Sequence, residues 1–138
     1  RSGGPVAATW AMLKHLGIEG YERLAESLME RRDYLVQNLK DVDGIGLITE
    51  PKLSALGITY RDDDNETLLL HNYMKREGFK ITPDMNPNSL RVIMHHHITK
   101  GHIDNLVQNL KEAAKSLGAY VPNSVSKVPY PIGKSLSA

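Results

Sequence analysis

Residues 89–118 read SLRVIMHHHITKGHIDNLVQNLKEAAKSLG, and along this stretch the spacing of apolar residues changes from that of a strand to that of a helix. Thr99 is a favourable N-cap residue, and Gly118 is typical of a helix end. Between them apolar side chains recur at helical spacing, at Ile103, Leu106, Val107, Leu110, Ala114 and Leu117. The stretch therefore predicts a strand followed by an amphipathic helix.

The strand in this stretch, residues 89–95, has two different sides because successive side chains point to opposite faces. Leu90, Val92 and Met94 share one side, which we expect to face the core. Arg91 lies on the other side, so its guanidinium need not be buried.

Two helices are predicted at the start of the chain. Residues 6–13, VAATWAML, are apolar nearly all round, which predicts a helix that is buried on most sides. Residues 21–42 carry apolar side chains on one face and charged side chains on the other, which predicts a long amphipathic helix. Gly17 separates the two helices, and Gly44 ends the second. Because the first helix needs neighbours on most sides, we expect the chain to be the C-terminal piece of a larger protein.

The middle of the chain predicts short strands and one further helix. Asp63, with Glu66 three residues later, has the spacing of a capping box, and Gly78 ends the helix that follows. Residues 83–88, PDMNPN, are rich in turn-forming residues and predict a loop. Strands are predicted over residues 45–50, 53–60 and 79–82.

Strands mixed with helices that pack on one face give a two-layer α/β sandwich. We expect this fold class from the order of the predicted elements. The first helix does not belong to the sandwich and looks like the end of another domain.

Composition and charge disfavour several classes of protein. The 138 residues include 17 Lys and Arg against 16 Asp and Glu, a net charge of +1, which disfavours a nucleic-acid-binding arm or an electrostatic membrane anchor. No apolar run approaches the roughly 18 residues of a membrane span. Cysteine is absent, which excludes disulfides and thiolate ligands and allows a reducing compartment; we expect a cytoplasmic protein.

The run His95–His97 raises the question of a metal site. Two imidazoles at positions i and i+2 of a strand share a face and can chelate Zn²⁺ or Ni²⁺. No carboxylate or cysteine pattern supplies further ligands, however, and His71 and His102 are distant in sequence. We therefore predict no functional metal.

Two pairs of motifs resemble one enzyme family. Residues 1–10, RSGGPVAATW, and 16–21, LGIEGY, are similar to the segment beyond the cofactor lysine in group II decarboxylases that depend on pyridoxal phosphate (PLP). Residues 89–94, SLRVIM, and 99–106, TKGHIDNL, are similar to the closing strand and helix of the archaeal members. The family includes glutamate decarboxylase, archaeal tyrosine/aspartate decarboxylase and, more distantly, sphingosine-1-phosphate lyase.

The resemblance implies the aspartate-aminotransferase fold, PLP fold-type I. Residues 1–16 would end the large PLP domain, residues 17–44 would form the connecting helix, residues 45–118 the small C-terminal α/β domain, and residues 119–138 an extended tail. It also implies a homodimer and an upstream large domain of the same enzyme, which binds PLP through a lysine that precedes Arg1. The chain by itself would then contain no catalytic residue and be inactive.

The resemblance also implies one substrate-binding residue. Arg91 matches the arginine with which glutamate decarboxylase-like enzymes hold the substrate carboxylate. A planar guanidinium can form two parallel charge-assisted hydrogen bonds and so fix the plane of a carboxylate. In a decarboxylase this orientation matters because the bond to CO2 must stand perpendicular to the π system of the cofactor.

Arg1, Ser2 and Gly3 lie where family members contribute a loop to the dimer interface, near the cofactor phosphate of the neighbouring subunit. They are therefore candidates for cofactor binding. A glycine-rich turn that enters a helix suits an anion because its N–H groups are unpaired. A simple helix-start loop explains the same residues equally well.

Three functions remain open. The first is the C-terminal portion of a PLP-dependent L-amino-acid decarboxylase, whose partner is a small-molecule amino-acid substrate. The second is a carbon–carbon lyase like sphingosine-1-phosphate lyase, or an aminotransferase of the same fold. Arg91 argues against the lyase because a phosphorylated amino alcohol has no carboxylate. The third is a non-catalytic α/β interaction module. We expect the decarboxylase.

Overall fold

Three helices and four strands alternate in the part of the chain that the computed structural model describes, residues 3–61, 63–85 and 88–118. From residue 45 onward the sequence order of these elements agrees with the predicted order of strands and helices. The elements are α1 (Gly4–Leu39), β1 (Ile45–Leu47), β2 (Ala55–Tyr60), α2 (Asp64–Arg76), β3 (Thr82–Met85), β4 (Asn88–Ile93) and α3 (Lys100–Gly118).

The strands form one antiparallel sheet in the order β1-β2-β4-β3. Strand β4 is central, since it pairs with β2 on one side and with β3 on the other. In this register Arg91 lies opposite Gly57 of β2 and Thr82 of β3. The three residues therefore share one face of the sheet.

The helices cover the other face and form the core with it. Leu90 and Met94 are buried, whereas Arg91 is exposed, so the predicted sides of this strand are confirmed. The predicted two-layer α/β sandwich is likewise confirmed. The helices and β2 contribute to the core Leu35, Leu39, Leu56, Ile58, Tyr60, Leu70, Met74, Ile103, Val107 and Leu110.

The predicted capping residues begin the helices. Asp63 Oδ1 accepts hydrogen bonds from the backbone N–H groups of Asn65 at 2.8 Å and Glu66 at 3.0 Å, at the start of α2. Thr99 Oγ1 accepts a hydrogen bond from the N–H of His102 at 3.3 Å, at the start of α3. These bonds satisfy donors that have no partner within their own helix.

Helix α1 is interrupted at Gly17, where the sequence predicts a break between two helices. Gly17 has φ 61° and ψ −173°, a conformation that only glycine adopts readily. Before this point the apolar side chains of Val6, Trp10 and Leu13 are exposed, so the described residues do not bury the first helix as expected. After it, Leu39 is fully buried.

The division of the chain into residues 1–16, 17–44 and 45–118 stays a prediction. The tail predicted over residues 119–138 lies outside the described residues. Within the described ranges, no helix is both long enough and apolar enough to cross a membrane.

The loop predicted over residues 83–88 is wrong for residues 83–85 and 88, which lie in strands, while its residues 86 and 87 lie outside the described residues. Thr82–Met85 forms β3 and pairs with β4, so the strand begins at Thr82 rather than ending there as the prediction over 79–82 had it. Pro83 is compatible with this strand because β3 lies at the edge of the sheet, where a residue without an N–H group is tolerated. The strand was not predicted because this stretch is rich in turn-forming residues.

Candidate functional site

Arg91 lies on the open face of the sheet, which we define as the face opposite the helices. Its side chain is 47% exposed. On the same side of β4, Ile93 is 42% exposed, so solvent reaches this part of the face. Leu90, next to Arg91, is fully buried and anchors the strand in the core. The guanidinium is thus accessible while its backbone is firmly held.

Asp84 of β3 is the ionic partner of Arg91, with 3.5 Å between Asp84 Oδ1 and Arg91 Nη1. Asp84 pairs with Ser89, two residues before Arg91, and is therefore a diagonal cross-strand neighbour on the same face. The separation exceeds the about 2.7–2.9 Å of a charge-assisted hydrogen bond, so the contact is a loose ion pair. Sequence reasoning missed Asp84 because it interpreted residues 83–88 as a loop. No local signal could have found it, because its contact with Arg91 depends on the register between β3 and β4.

The part of the open face next to Arg91 is closely packed. Thr59 and Ser89 are buried, and their hydroxyl oxygens have no hydrogen-bond partner among the described residues. A Cβ atom on Gly57 would lie 2.9 Å from Ile48 Cδ1 and 3.2 Å from Ser89 Oγ. The side chains of Ile48 and Ser89 therefore fill the space over Gly57, directly across from Arg91.

The histidine run lies in the connection from β4 to α3. The rings of His95 and His97 stack with their centroids 5.5 Å apart, although β4 ends at Ile93 and the run is not the strand end that the sequence predicts. Arg31 of α1 donates from Nη1 to the backbone carbonyls of His95 at 3.2 Å and His96 at 2.7 Å, which ties the connection to the helix. Over the described ranges, no three His, Cys, Asp or Glu residues are grouped so as to hold a metal ion.

A second polar cluster joins α1 to the start of α3. The Tyr34 hydroxyl donates a hydrogen bond to Asp104 Oδ1 at 2.7 Å, and this bond is the main cause that raises the pKa of the Tyr34 phenol. The Lys100 ammonium lies 5.2 Å from the centre of the Tyr34 ring. The cluster fastens the two helices to each other and shares no residue with the open face.

The predicted cofactor-binding residues lie at the other end of the chain. Arg1 and Ser2 are outside the described residues, whereas Gly3 is the N-cap residue of α1. Apart from its chain neighbours and its own helix backbone, nothing lies within 4 Å of a Cβ built on Gly3. This chain therefore does not bring Gly3 together with Arg91.

The lysines of the described ranges all lie at the surface. All eight lysines of the described ranges are exposed: Lys14, Lys40, Lys52, Lys75, Lys80, Lys100, Lys111 and Lys115.

Curated relatives of the chain are decarboxylases, although no family model matches it. The chain is 30% identical over 115 residues to the probable L-aspartate decarboxylase of Thermococcus gammatolerans. It is 34% identical over 116 residues to the probable L-tyrosine/L-aspartate decarboxylase of Methanococcus aeolicus. These matches cover 83% and 84% of this chain but only 28% of each relative. The resemblance to the group II decarboxylases is confirmed.

Two solved structures share the fold. The crystal structure of mouse CSAD matches with a TM-score of 0.64 at 21% identity, over 77% of this chain and 26% of that chain. The sphingosine-1-phosphate lyase of Burkholderia pseudomallei matches with a TM-score of 0.71 at 25% identity, over 87% of this chain and 28% of that chain. Because these neighbours are PLP enzymes of fold-type I, the predicted fold class is confirmed.

Proposed function

We propose that this chain, a relative of the archaeal L-aspartate and L-tyrosine/L-aspartate decarboxylases, is part of a PLP-dependent L-amino-acid decarboxylase. The observation that carries the proposal is the placement of Arg91. Its guanidinium is half-exposed on the open face of the sheet, on a central strand that neighbours hold from both sides. A residue placed in this way suits the binding of a carboxylate from solvent.

Arg91 holds the carboxylate of the amino-acid substrate in this proposal. The guanidinium is planar and always charged, so it can grip a carboxylate with two parallel hydrogen bonds and fix its plane. Its backbone is rigid, because β4 pairs with β2 and β3 and Leu90 is buried beneath it. Rigid support of this kind is what a binding group needs to orient its ligand.

The cofactor and its lysine belong to an upstream large domain in this proposal, and the active enzyme is a homodimer in which Arg1, Ser2 and Gly3 lie near the partner's cofactor phosphate. Two observations support a larger protein. The chain spans about 28% of the length of the curated relatives that it matches. The first half of α1 also exposes Val6 and Trp10, which a further domain would cover.

The proposal keeps the predicted division of the chain. Residues 1–16 end the large domain, residues 17–44 connect, and residues 45–118 form a small domain that closes over the substrate and excludes water. The interruption at Gly17 supports the first of these boundaries.

The reaction is tested by supplying the complete protein and PLP with L-aspartate, L-glutamate or L-tyrosine while CO2 and keto acid are measured separately. CO2 without keto acid supports the decarboxylase. Keto acid without CO2 would mean an aminotransferase. Cleavage of a phosphorylated sphingoid base would mean the lyase, the second candidate because its solved relative matches with a TM-score of 0.71. If no product forms and the protein shows no absorbance of an imine with PLP, the remaining candidate is the non-catalytic α/β interaction module.

The role of Arg91 is tested by Arg91→Lys in the complete protein. We expect kcat/KM to fall by more than about tenfold, since an ammonium cannot reproduce the two parallel hydrogen bonds. Arg76→Lys is the matched control, because Arg76 is an exposed arginine on α2 that also pairs with a carboxylate, that of Glu77. An unchanged kcat/KM in Arg91→Lys would make Arg91 an ordinary surface residue.

A further inference from the structure

We propose that Asp84 is a positioning residue for Arg91: from β3 it holds Nη1 of the guanidinium, so that the Nε–Nη2 edge faces the substrate carboxylate. The role rests on the proposed function of Arg91 and adds a second residue to it.

The register of the sheet places Asp84 where it can restrain the Arg91 side chain. Arg91 lies opposite Thr82, and Asp84 lies two residues further along β3, on the same face. Diagonal neighbours of this kind are within reach of a long side chain. The two strands are hydrogen-bonded to each other, so the distance between their backbones is fixed while the arginine side chain would otherwise be free to rotate.

The contact occupies one side of the guanidinium and leaves another for a ligand. A guanidinium can bind a carboxylate with two parallel hydrogen bonds along its Nε–Nη2 edge or along its Nη1–Nη2 edge. Asp84 Oδ1 lies 3.5 Å from Nη1, a nitrogen of the second edge that the first edge does not use. Among the described residues no hydrogen bond involves Arg91 Nε or Nη2, so the first edge is available to a substrate.

The charge of Asp84 has opposite effects on two properties of Arg91: it orients the guanidinium, but it does not strengthen the attraction of the guanidinium for a substrate carboxylate. A second carboxylate that approaches Arg91 meets a guanidinium already neutralised by Asp84 and is repelled by the Asp84 carboxylate itself. Removal of the Asp84 charge therefore does not weaken the attraction for a substrate, but it releases the guanidinium. A positioning role predicts a lower kcat without a higher KM.

The test compares Asp84→Asn with Glu77→Gln in the complete protein. Glu77 is a matched control because its carboxylate forms a similar ion pair, 3.6 Å from Arg76 Nε, on α2. We expect Asp84→Asn to lower kcat about threefold to fivefold, in keeping with the size of a partly exposed ion pair, while KM does not rise. Glu77→Gln changes neither parameter.

A second measurement tests whether Asp84 acts through Arg91. In an Arg91→Lys background, Asp84→Asn is expected to cause no further loss, because the group that it positions is gone. A merely structural role of Asp84 would cause the same loss in both backgrounds. By NMR, the Nε–Hε group of Arg91 is expected to become more mobile in Asp84→Asn but not in Glu77→Gln.

The outcomes distinguish this inference from the proposed function. If Arg91→Lys loses activity but Asp84→Asn leaves kcat unchanged, or loses as much in both backgrounds, the role of Asp84 is overturned and the proposed function stands. If Arg91→Lys itself leaves kcat/KM unchanged, the carboxylate-binding role fails first, and the role of Asp84 fails with it.

Discussion

The two halves of α1, before and after Gly17, are both rich in apolar side chains but differ in what covers them. In the first half Trp10 is 63% exposed and Leu13 is 53% exposed. In the second half Leu35 and Leu39 are fully buried against the rest of the core. Burial is thus a property of the contacts that a helix finds and not of its own composition.

The difference teaches what each kind of sequence pattern can indicate. The second half has an apolar stripe on one face and charged residues on the other, and towards its C-terminal end Leu35 and Leu39 of that stripe are buried in the core, whereas Tyr21 and Leu24 near Gly17 stay 42% and 40% exposed. The first half is apolar nearly all round, which indicates a need for cover on several sides. The described residues supply none of that cover, and the curated relatives are several times longer than this chain.

The largest expected effect compares one leucine from each half, in the 138-residue chain. Leu39→Ala should lower the free energy of unfolding by about 2–5 kcal/mol, because it removes fully buried methyl groups and leaves a cavity. Leu13→Ala should change it by less than about 0.5 kcal/mol, as is usual for exposed positions. Denaturant titration of the two variants measures both values. A loss in Leu13→Ala as large as in Leu39→Ala would show that the first half is covered within this chain.

Much of the packed region could be predicted from sequence because its signals are local. Asp63 and Thr99 begin helices through bonds to residues two or three positions away, and the alternation around Arg91 sets its side of β4. Strand β3 could not be predicted in this way. Pro83 and its neighbours favour a turn locally, and only pairing with β4 makes them a strand.

The two residues of the candidate site, Arg91 and Asp84, differ in the same way in how far the sequence indicates them. Arg91 could be found because the pattern of its own strand and a resemblance both point to it. Asp84 could not, because its contact with Arg91 depends on the register between two strands. Signals within one strand therefore indicate a candidate binding residue such as Arg91 more readily than they indicate a cross-strand neighbour such as Asp84.

A smaller effect is expected inside the packed region at Tyr60. Its hydroxyl donates a hydrogen bond to the carbonyl of Ala114 at 3.1 Å, in the core between β2 and α3. Tyr60→Phe leaves that carbonyl without this donor and should lower the free energy of unfolding by about 1 kcal/mol. Tyr21→Phe, an exposed position on α1, is the matched control and should have no effect.

The pH dependence of stability sharpens this prediction. Burial raises the pKa of the Tyr60 phenol above its usual value. A raised folded-state pKa means that the stabilising contribution is fully present below the unfolded pKa of about 10 and is lost as pH rises through the folded pKa. We therefore expect unfolding free energy to fall above about pH 10, and to fall less steeply in Tyr60→Phe. Equal slopes in the two proteins would contradict the buried phenol.

The smallest expected effect lies at the junction itself. Gly17→Ala replaces the residue with φ 61° by one that does not readily adopt this conformation, while nothing lies within 4 Å of the added Cβ. We expect the helix to straighten, with a gain in helical signal by circular dichroism. In the 138-residue chain the free energy of unfolding should change by less than about 0.5 kcal/mol, since the first half packs against nothing there.

Gly17→Ala in the complete protein tests whether the two halves of α1 differ in what covers them. If a further domain covers the first half of α1, its fit depends on the direction that Gly17 gives to the chain, so Gly17→Ala should destabilise the complete protein more than the 138-residue chain. The difference between the two losses then measures how strongly the cover depends on the bend. A loss above about 1 kcal/mol already in the short chain would mean that the first half is anchored to the packed region, and the contrast between the halves would fail.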